Sequence, residues 1–247
     1  MMQQDTQVVN SSYFDVIPSG VIGFIVVIAI VGLAVFFSYY FSKKSVVRRA
    51  MNKASATTIA AFLGGETAKI TGTVLLGGEP LTAPLSGRKC AYYHVLVEEK
   101  TSSGKSTSWR TIIEEESAGN VLLRDGRNYA LVNCSAVKSY IVQDKNYSSS
   151  FGKDATAALK DYLANHGKDS ENFLGMNKTL RYKEGILAEG EAVAVLGSGE
   201  WKRAAELGLP ESYGKILVIS APPDDKVYIT DDPDMASRPP DGAGGVS

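Results

Sequence analysis

The longest uninterrupted apolar stretch runs from Val21 to Phe41, VIGFIVVIAIVGLAVFFSYYF, and holds no charged residue. A helix of this length rises about 31 Å, close to the roughly 30 Å hydrocarbon core of a bilayer. Inside lipid every backbone amide and carbonyl must find a partner within the segment, so a lone apolar stretch is expected to be helical there. The uncharged zone is wider, from Val16 to Ser42, which leaves room for tilt. Tyr39, Tyr40 and Phe41 stand at its exit, where aromatic rings favour the headgroup layer. The alternatives are a buried core helix, which is seldom so long and so free of polar residues, and a cleaved signal peptide, which has a basic start and a shorter apolar stretch. The pattern therefore predicts a transmembrane helix over 16–42, preceded by a disordered outer tail over 1–15. Residues 43–65 contain no Gly or Pro before Gly64-Gly65 and are expected to form a basic juxtamembrane helix that ends there.

From Ala68 onward the period changes from helical to alternating. AKITGTVLL (68–76) is rich in β-branched residues and stops at Gly77-Gly78. The stretch 77–87, with Pro80, Pro84 and its glycines, reads as an irregular loop. RKCAYYHVLVEE (88–99) is apolar on both alternating faces, the mark of a central strand covered on each side. KTSSGKSTS (100–108) is a hairpin tip and WRTIIEEE (109–116) returns from it. NVLLRDGRNYALVNC (120–134) reads as two strands around Asp125-Gly126, a strong hairpin signal. A further strand is expected over 136–144, and a polar loop over 145–153. ATAALKDYLANH then places Ala155, Ala158, Leu159, Tyr162, Leu163 and His166 on one helical face, with Asp154 and Gly167 as its caps, so an inserted helix is predicted over 154–167. Strands resume over 179–203, 214–220 and 226–230. The Pro/Gly/Asp-rich segment 231–247 is expected to be disordered. Strands on both sides of one helical insertion, without β–α–β alternation, predict a mainly β, α+β body: a small twisted barrel or sandwich with a helix packed on it, spanning 66–230.

Charge adds an orientation. The 247-residue chain has a net charge of −1, unevenly placed. Asp5 and Asp15 precede the span, and Lys43, Lys44, Arg48, Arg49 and Lys53 follow it, which leaves −4 from Ala54 onward. Cationic flanks stay on the cytoplasmic side, so the expected topology is a single-pass cell-membrane protein with its N-terminus outside and its C-terminal body in the cytoplasm. The basic cluster is suited to anionic headgroups, and a body of this charge is no footprint for nucleic acid. The two cysteines, Cys90 and Cys134, fall in apolar runs and read as buried free thiols.

Two blocks carry a family resemblance. The first is Thr71-Gly72-Thr73-Val74, then Leu81, Ala83-Pro84-Leu85-Ser86-Gly87, Cys90 and Tyr92-Tyr93. The second is Leu180-Arg181-Tyr182, Glu184, Leu187, Gly190-Glu191, Val193, Val195 and Gly197; the Asp125-Gly126 hairpin adds a looser match. They resemble the GIDE domain, also called BAM ("beside a membrane"), of membrane-anchored E3 ubiquitin ligases in mitochondria and plastids and of their prokaryotic relatives. The resemblance covers about residues 59–230 and implies a β-rich domain of that type, with Gly72, Cys90, Tyr92, Asp125, Arg181, Tyr182, Glu184, Gly190 and Gly197 in structural roles. The ligases carry a RING finger, which folds around zinc with about eight Cys and His ligands. This chain has two of each, so it resembles a prokaryotic-type member lacking the RING, and ubiquitin transfer would require a RING supplied by another chain.

Candidate chemistry is sparse. Gly197-Ser198-Gly199 is glycine-rich but lacks the Lys-Ser/Thr of a phosphate loop. His94 alternates with apolar residues and reads as a satisfied core histidine; without H-x-E or C-x-x-C, no metal site is expected. No G-x-S-x-G elbow for a nucleophile occurs. Glu114-Glu115-Glu116 reads as a solvated rim that discourages edge pairing, and Arg181 and Glu184 read as structural residues that pair with each other or with the hairpin. Trp109, Tyr92, Tyr93, Tyr129 and Trp201 read first as packing residues and second as an aromatic binding face. The expectation is a non-catalytic, membrane-tethered interaction module without a cofactor. Its partners would be the bilayer and other membrane proteins, met through the loop at Pro80, Pro84, Ser86 and Gly87 and through the 100–108 tip. The alternatives are ubiquitin-like transfer assisted in trans and an OB-type ligand or oligonucleotide binder.

Overall fold

The computed structural model describes residues 19–104, 106–119, 121–142, 144–149, 155–171 and 178–237. The expected outer tail, the first residues of the span, Asp154 and residues 238–247 lie outside the described residues. The chain forms two compact units, residues 1–45 and 46–247.

In the first unit, helix α1 (Ser19–Tyr40) carries the apolar stretch. Every side chain from Gly23 to Phe41 is exposed. It is one helix long and apolar enough to cross a membrane. Ser42 caps the following helix, its Oγ accepting from the Ser45 amide at 3.3 Å.

Helix α2 (Lys43–Lys53) is basic and amphipathic. Its Val47 and Met51, one turn apart, are buried against Ala194, Leu196, Met235 and Ala236. It stops at Lys53 rather than at Gly64. Residues 55–57 instead run extended beside Lys69: the Thr57 amide donates to Lys69 O at 2.9 Å, and the Lys69 amide donates to Ser55 O at 2.8 Å. The β-branched run Thr57-Thr58-Ile59 suits that extended path. Ile59 and Phe62 then fold into the barrel core.

The body is mainly β. Strand β1 (Thr67–Leu76) opens a barrel that β6 (Val121–Asp125), β7 (Asn128–Val132), β11 (Ala192–Arg203) and β12 (Lys215–Ser220) complete. Neighbours run in the order β1-β6-β7-β12-β11, and β11 pairs back onto β1, Thr67 opposite Ser198, to close it. All pairs are antiparallel except β7 with β12. This is a closed five-stranded Greek-key barrel, the architecture class of OB barrels. Two further strands, β8 (Val137–Tyr140) and β13 (Val227–Thr230), pair in parallel, and β13 extends the sheet from β11.

Two insertions leave the barrel and meet each other. One lies between β1 and β6 and holds β2 (Leu81–Thr82), β3 (Lys89–Cys90), β4 (Tyr92–Ser103) and β5 (Ser106–Ala118). The other follows β8 and holds β9 (Lys145–Ser149), helix α3 (Ala157–Asn165) and β10 (Leu180–Leu187). Strands β4 and β10 pair over eight residues, giving a second antiparallel sheet in the order β5-β4-β10-β9. Strand β9 falls where a polar loop is expected; its order comes from the β10 edge, which its own composition does not reveal.

Helix α3 follows its apolar period. Leu159, Tyr162 and Leu163 are buried against Val95, Val97, Leu180 and Tyr182. Thr156 caps it, its Oγ1 accepting from the Leu159 amide at 3.3 Å. Gly167, at φ +64°, ends it as expected, with the Lys168 amide reaching Leu163 O. The expectation of disorder from residue 231 is overturned for 231–237. Helix α4 (Pro233–Ala236) begins at Asp232, whose side chain caps the Asp234 amide, and buries Met235 and Ala236. An acidic cap followed by Pro at the first helical position is a start signal, here hidden in a segment whose composition resembles a tail.

Tyr92 joins the two sheets. It is fully buried in the core cluster that includes Val121, Leu123 and Val193 of the barrel and Ile229 of β13, although its strand belongs to the second sheet.

Candidate functional site

The loop singled out in the sequence, 77–87, is more ordered than its composition implies. Strands β2 and β3 pair across it, Leu81 opposite Cys90. The Ala83 amide donates to Arg88 O, and the Gly87 amide to Ala83 O, with Gly87 at φ +69°. Into this turn comes the Glu184 carboxylate from β10, 2 % exposed. Its Oε1 accepts from the Leu85 amide at 2.8 Å and from the Ser86 amide at 3.3 Å. A buried carboxylate that takes two backbone donors fixes a loop firmly. Pro80, Pro84 and Ser86 are half-buried and Gly87 is exposed, so the loop presents a rigid, shaped edge.

Arg181 and Glu184 do not pair. They are three apart on a strand and face opposite sides. Arg181 instead forms a two-pronged bond across to β4: Nε and Nη2 donate to Glu98, the second at 2.8 Å. Its guanidinium lies 4.3 Å from the centroid of the Trp109 ring. The Arg181 hydrogen bonds, against the opposing push of burial, hold the Glu98 carboxyl below its ordinary value. These contacts stiffen the middle of the β4–β5 arm, and its return strand is exposed from Thr107 to Thr111. Strand β5 is 13 residues long and lies at an edge of its sheet.

The glutamate run is no simple rim. Glu115 points toward α3, where Tyr93 and Tyr162 donate to it at 2.6 and 2.5 Å and His166 Nε2 lies at 3.2 Å. Burial pushes this carboxyl up, but the two phenolic donors and His166 outweigh it and hold it down. The run alternates, so Glu114 and Glu116 face the other side with His94. Sequence spacing gave no sign of these pairings, because each partner comes from another element.

The remaining family-motif residues are structural. A Cβ on Gly72 would lie 3.1 Å from Leu123 Cβ, and one on Gly197 would lie 2.6 Å from Ile219 Cγ2 and 2.8 Å from Ser220 O. Gly199 is pressed by Phe62 in the same way. Gly197-Ser198-Gly199 is therefore a close-packed crossing of strands rather than a phosphate cradle. Gly190 turns at φ +87°. Tyr182 is buried beneath α3. Asp125 precedes the tight turn at Gly126, its carbonyl accepting from Asn128 Nδ2 at 3.4 Å. Cys90 and Cys134 are free thiols, both pushed up to about 11 by burial, which keeps them protonated and unreactive near neutral pH. The aromatic residues do not converge: Tyr92 is buried, Tyr129 packs on Tyr213, and Trp201 donates to Phe62 O at 3.1 Å.

One acidic group outside the sequence expectations is strained. Asp231 lines a groove of about 520 Å³ with Val142, Asp144 and Glu191. Burial, reinforced by the charges of Glu191 and Asp144, pushes its carboxyl up to about 7, although the Val142 amide donates to it at 2.7 Å. The folded chain thus holds this proton more tightly than the unfolded chain. The stabilisation is complete at acid pH and is lost as pH rises from about 4, the unfolded value, through about 7. Asp231→Asn keeps the acceptor oxygen and removes the charge. It should leave the melting temperature unchanged at pH 4 and raise it at pH 8, where the gain in stability is about 1–3 kcal/mol after allowing for solvent screening. Equal melting shifts at both pH values would refute this account of Asp231.

Compared with protein-family models, with curated proteins and with solved structures, the chain finds no significant match.

Proposed function

We propose that this protein is a single-pass membrane-anchored recognition module whose β body binds other membrane-associated proteins without catalysing a reaction. The observation that carries the reading is α1: a 22-residue helix with no charge whose apolar side chains are exposed from Phe24 to Tyr40, a surface that water would not tolerate and a bilayer would. The basic residues of α2 favour the topology with the N-terminus outside and the body in the cytoplasm, and suit an anionic leaflet. The resemblance to RING-less GIDE/BAM relatives agrees with a body held beside a membrane.

The β4–β5 arm supports recognition by strand addition. Strand β5 offers a long edge, and the Arg181–Glu98 fork with Trp109 braces it near its middle. Glu114 and Glu116 discourage indiscriminate pairing along the inner half of that edge. The oligonucleotide alternative is less well supported, because single-strand binders stack bases on free aromatic faces, and here Tyr92, Tyr129 and Trp201 are engaged in packing.

The test is site-specific photocrosslinking of the full chain in native membranes. A crosslinker at Ser108, on the exposed part of β5, should capture one or a few discrete proteins, and a crosslinker at Asp224, far from the arm along the chain, should not. An identical product pattern at both positions, or with an anchor-only control, would refute strand-edge recognition.

A further inference from the structure

The cross-strand register of β4 and β5 brings His94 on β4 to two further potential metal ligands, Glu114 and Glu116 on β5. His94 stands directly opposite Glu116, and Glu114 is two residues along on the same face. His94 Nε2 lies 3.3 Å from Glu114 Oε1 and 3.9 Å from Glu116 Oε1. The three ligand atoms are all within 4.8 Å of one another. We propose that His94, Glu114 and Glu116 bind one divalent transition-metal ion of the zinc type.

The geometry suits such an ion. Zinc sits about 2.0–2.2 Å from imidazole nitrogen and carboxylate oxygen, so tetrahedral ligand atoms are roughly 3.3–3.5 Å apart. The observed separations need only small side-chain rotations to reach that spacing. One nitrogen and two carboxylate oxygens form a borderline donor set, suited to Zn²⁺ rather than to Ca²⁺ or Mg²⁺, which take all-oxygen shells. Three protein ligands leave one position for water.

Two further features point the same way. Glu116 is oriented from behind: the buried Tyr92 hydroxyl donates to its Oε2 at 2.8 Å, which leaves Oε1 on the His94 side. Such outer hydrogen bonds fix ligating carboxylates in metal sites. In addition, Glu114 and Glu116 present their two carboxylates on the same face as the His94 ring. His94 is largely covered, at 13 % side-chain exposure, whereas Glu114 at 44 % keeps the entry open. Glu115 takes no part, since it faces α3.

The experiment uses the full chain in detergent micelles, purified without a histidine tag and stripped with a chelator. Zinc is titrated against a chromophoric competitor. One equivalent should bind to the wild type. His94→Gln and Glu116→Gln should each weaken binding at least tenfold, and Tyr92→Phe about tenfold. His166→Gln should bind as the wild type does. The chain has two histidines, so the imidazole NMR signals are few. Zinc should shift those of His94 and leave those of His166 in place, a readout that does not depend on how the variants fold. No saturable zinc uptake by the wild type, unchanged uptake by a folded His94→Gln variant, or equal perturbation of both histidines would overturn the proposal and leave the cluster an ion pair.

Discussion

Replacing Ile28 and Val31 together by arginine should release the protein from membranes. Both side chains are exposed, at 55 % and 56 %, in the middle of α1, so neither contributes to packing within the body. Near the centre of a bilayer each Arg costs about 2.5–3.5 kcal/mol on insertion scales, against a gain of roughly 0.3–0.6 kcal/mol for the Ile or Val it replaces. Two such changes amount to about 6–8 kcal/mol, enough to abolish insertion of a single helix. The wild type should stay in the pellet after an alkaline carbonate wash and the variant should move to the supernatant. A variant that stays in the pellet would show that α1 is not what holds the chain to the membrane.

The second large effect is expected at Tyr92. This side chain is fully buried where the second sheet meets the barrel core. Its hydroxyl lies 2.7 Å from Ser139 Oγ, which is itself buried, as well as donating to Glu116. Tyr92→Ala leaves a cavity in the shared core and should cost about 3–5 kcal/mol. For a body of this size that lowers the melting temperature by roughly 6–20 °C. Tyr92→Phe keeps the packing but removes one hydrogen-bond partner from Glu116 and one from Ser139, and should cost about 1–3 kcal/mol. Chemical denaturation of the full chain in detergent measures both. Equal losses for the two variants would mean that the hydrogen bonds, not the ring, hold the sheets together.

Legibility in the sequence divided along a physical line. Features set by neighbouring residues were readable: the uncharged span, the Asp125-Gly126 hairpin, the two-sided apolar pattern of β4 and the helical face of α3. Features set by distant residues were not. Lys145–Ser149 is a strand because β10 offers it an edge, and nothing in its composition says so. Helix α2 stops at Lys53 because residues 55–57 bond to Lys69. Of the two partners open to Arg181, Glu184 or the hairpin, strand register selects the hairpin's Glu98. The His94 cluster is of the same kind: the histidine and the two glutamates lie on different strands, so a search for H-x-E or C-x-x-C spacing passes over it. Asp232-Pro233 is the opposite case. The local start signal was present, but the composition around it was that of a tail.

The closing pair of the barrel has a consequence for biosynthesis. Residues of β1 find their β11 partners roughly 120–130 positions later in the chain. At about 5–20 residues per second, β1 leaves the ribosome roughly 6–25 s before its mate. During that interval β6, roughly 50 positions on, can pair with Thr73–Leu76, while the edge of Thr67–Thr73 that faces β11 stays open, and a chaperone present at that stage would find that edge the one to shield.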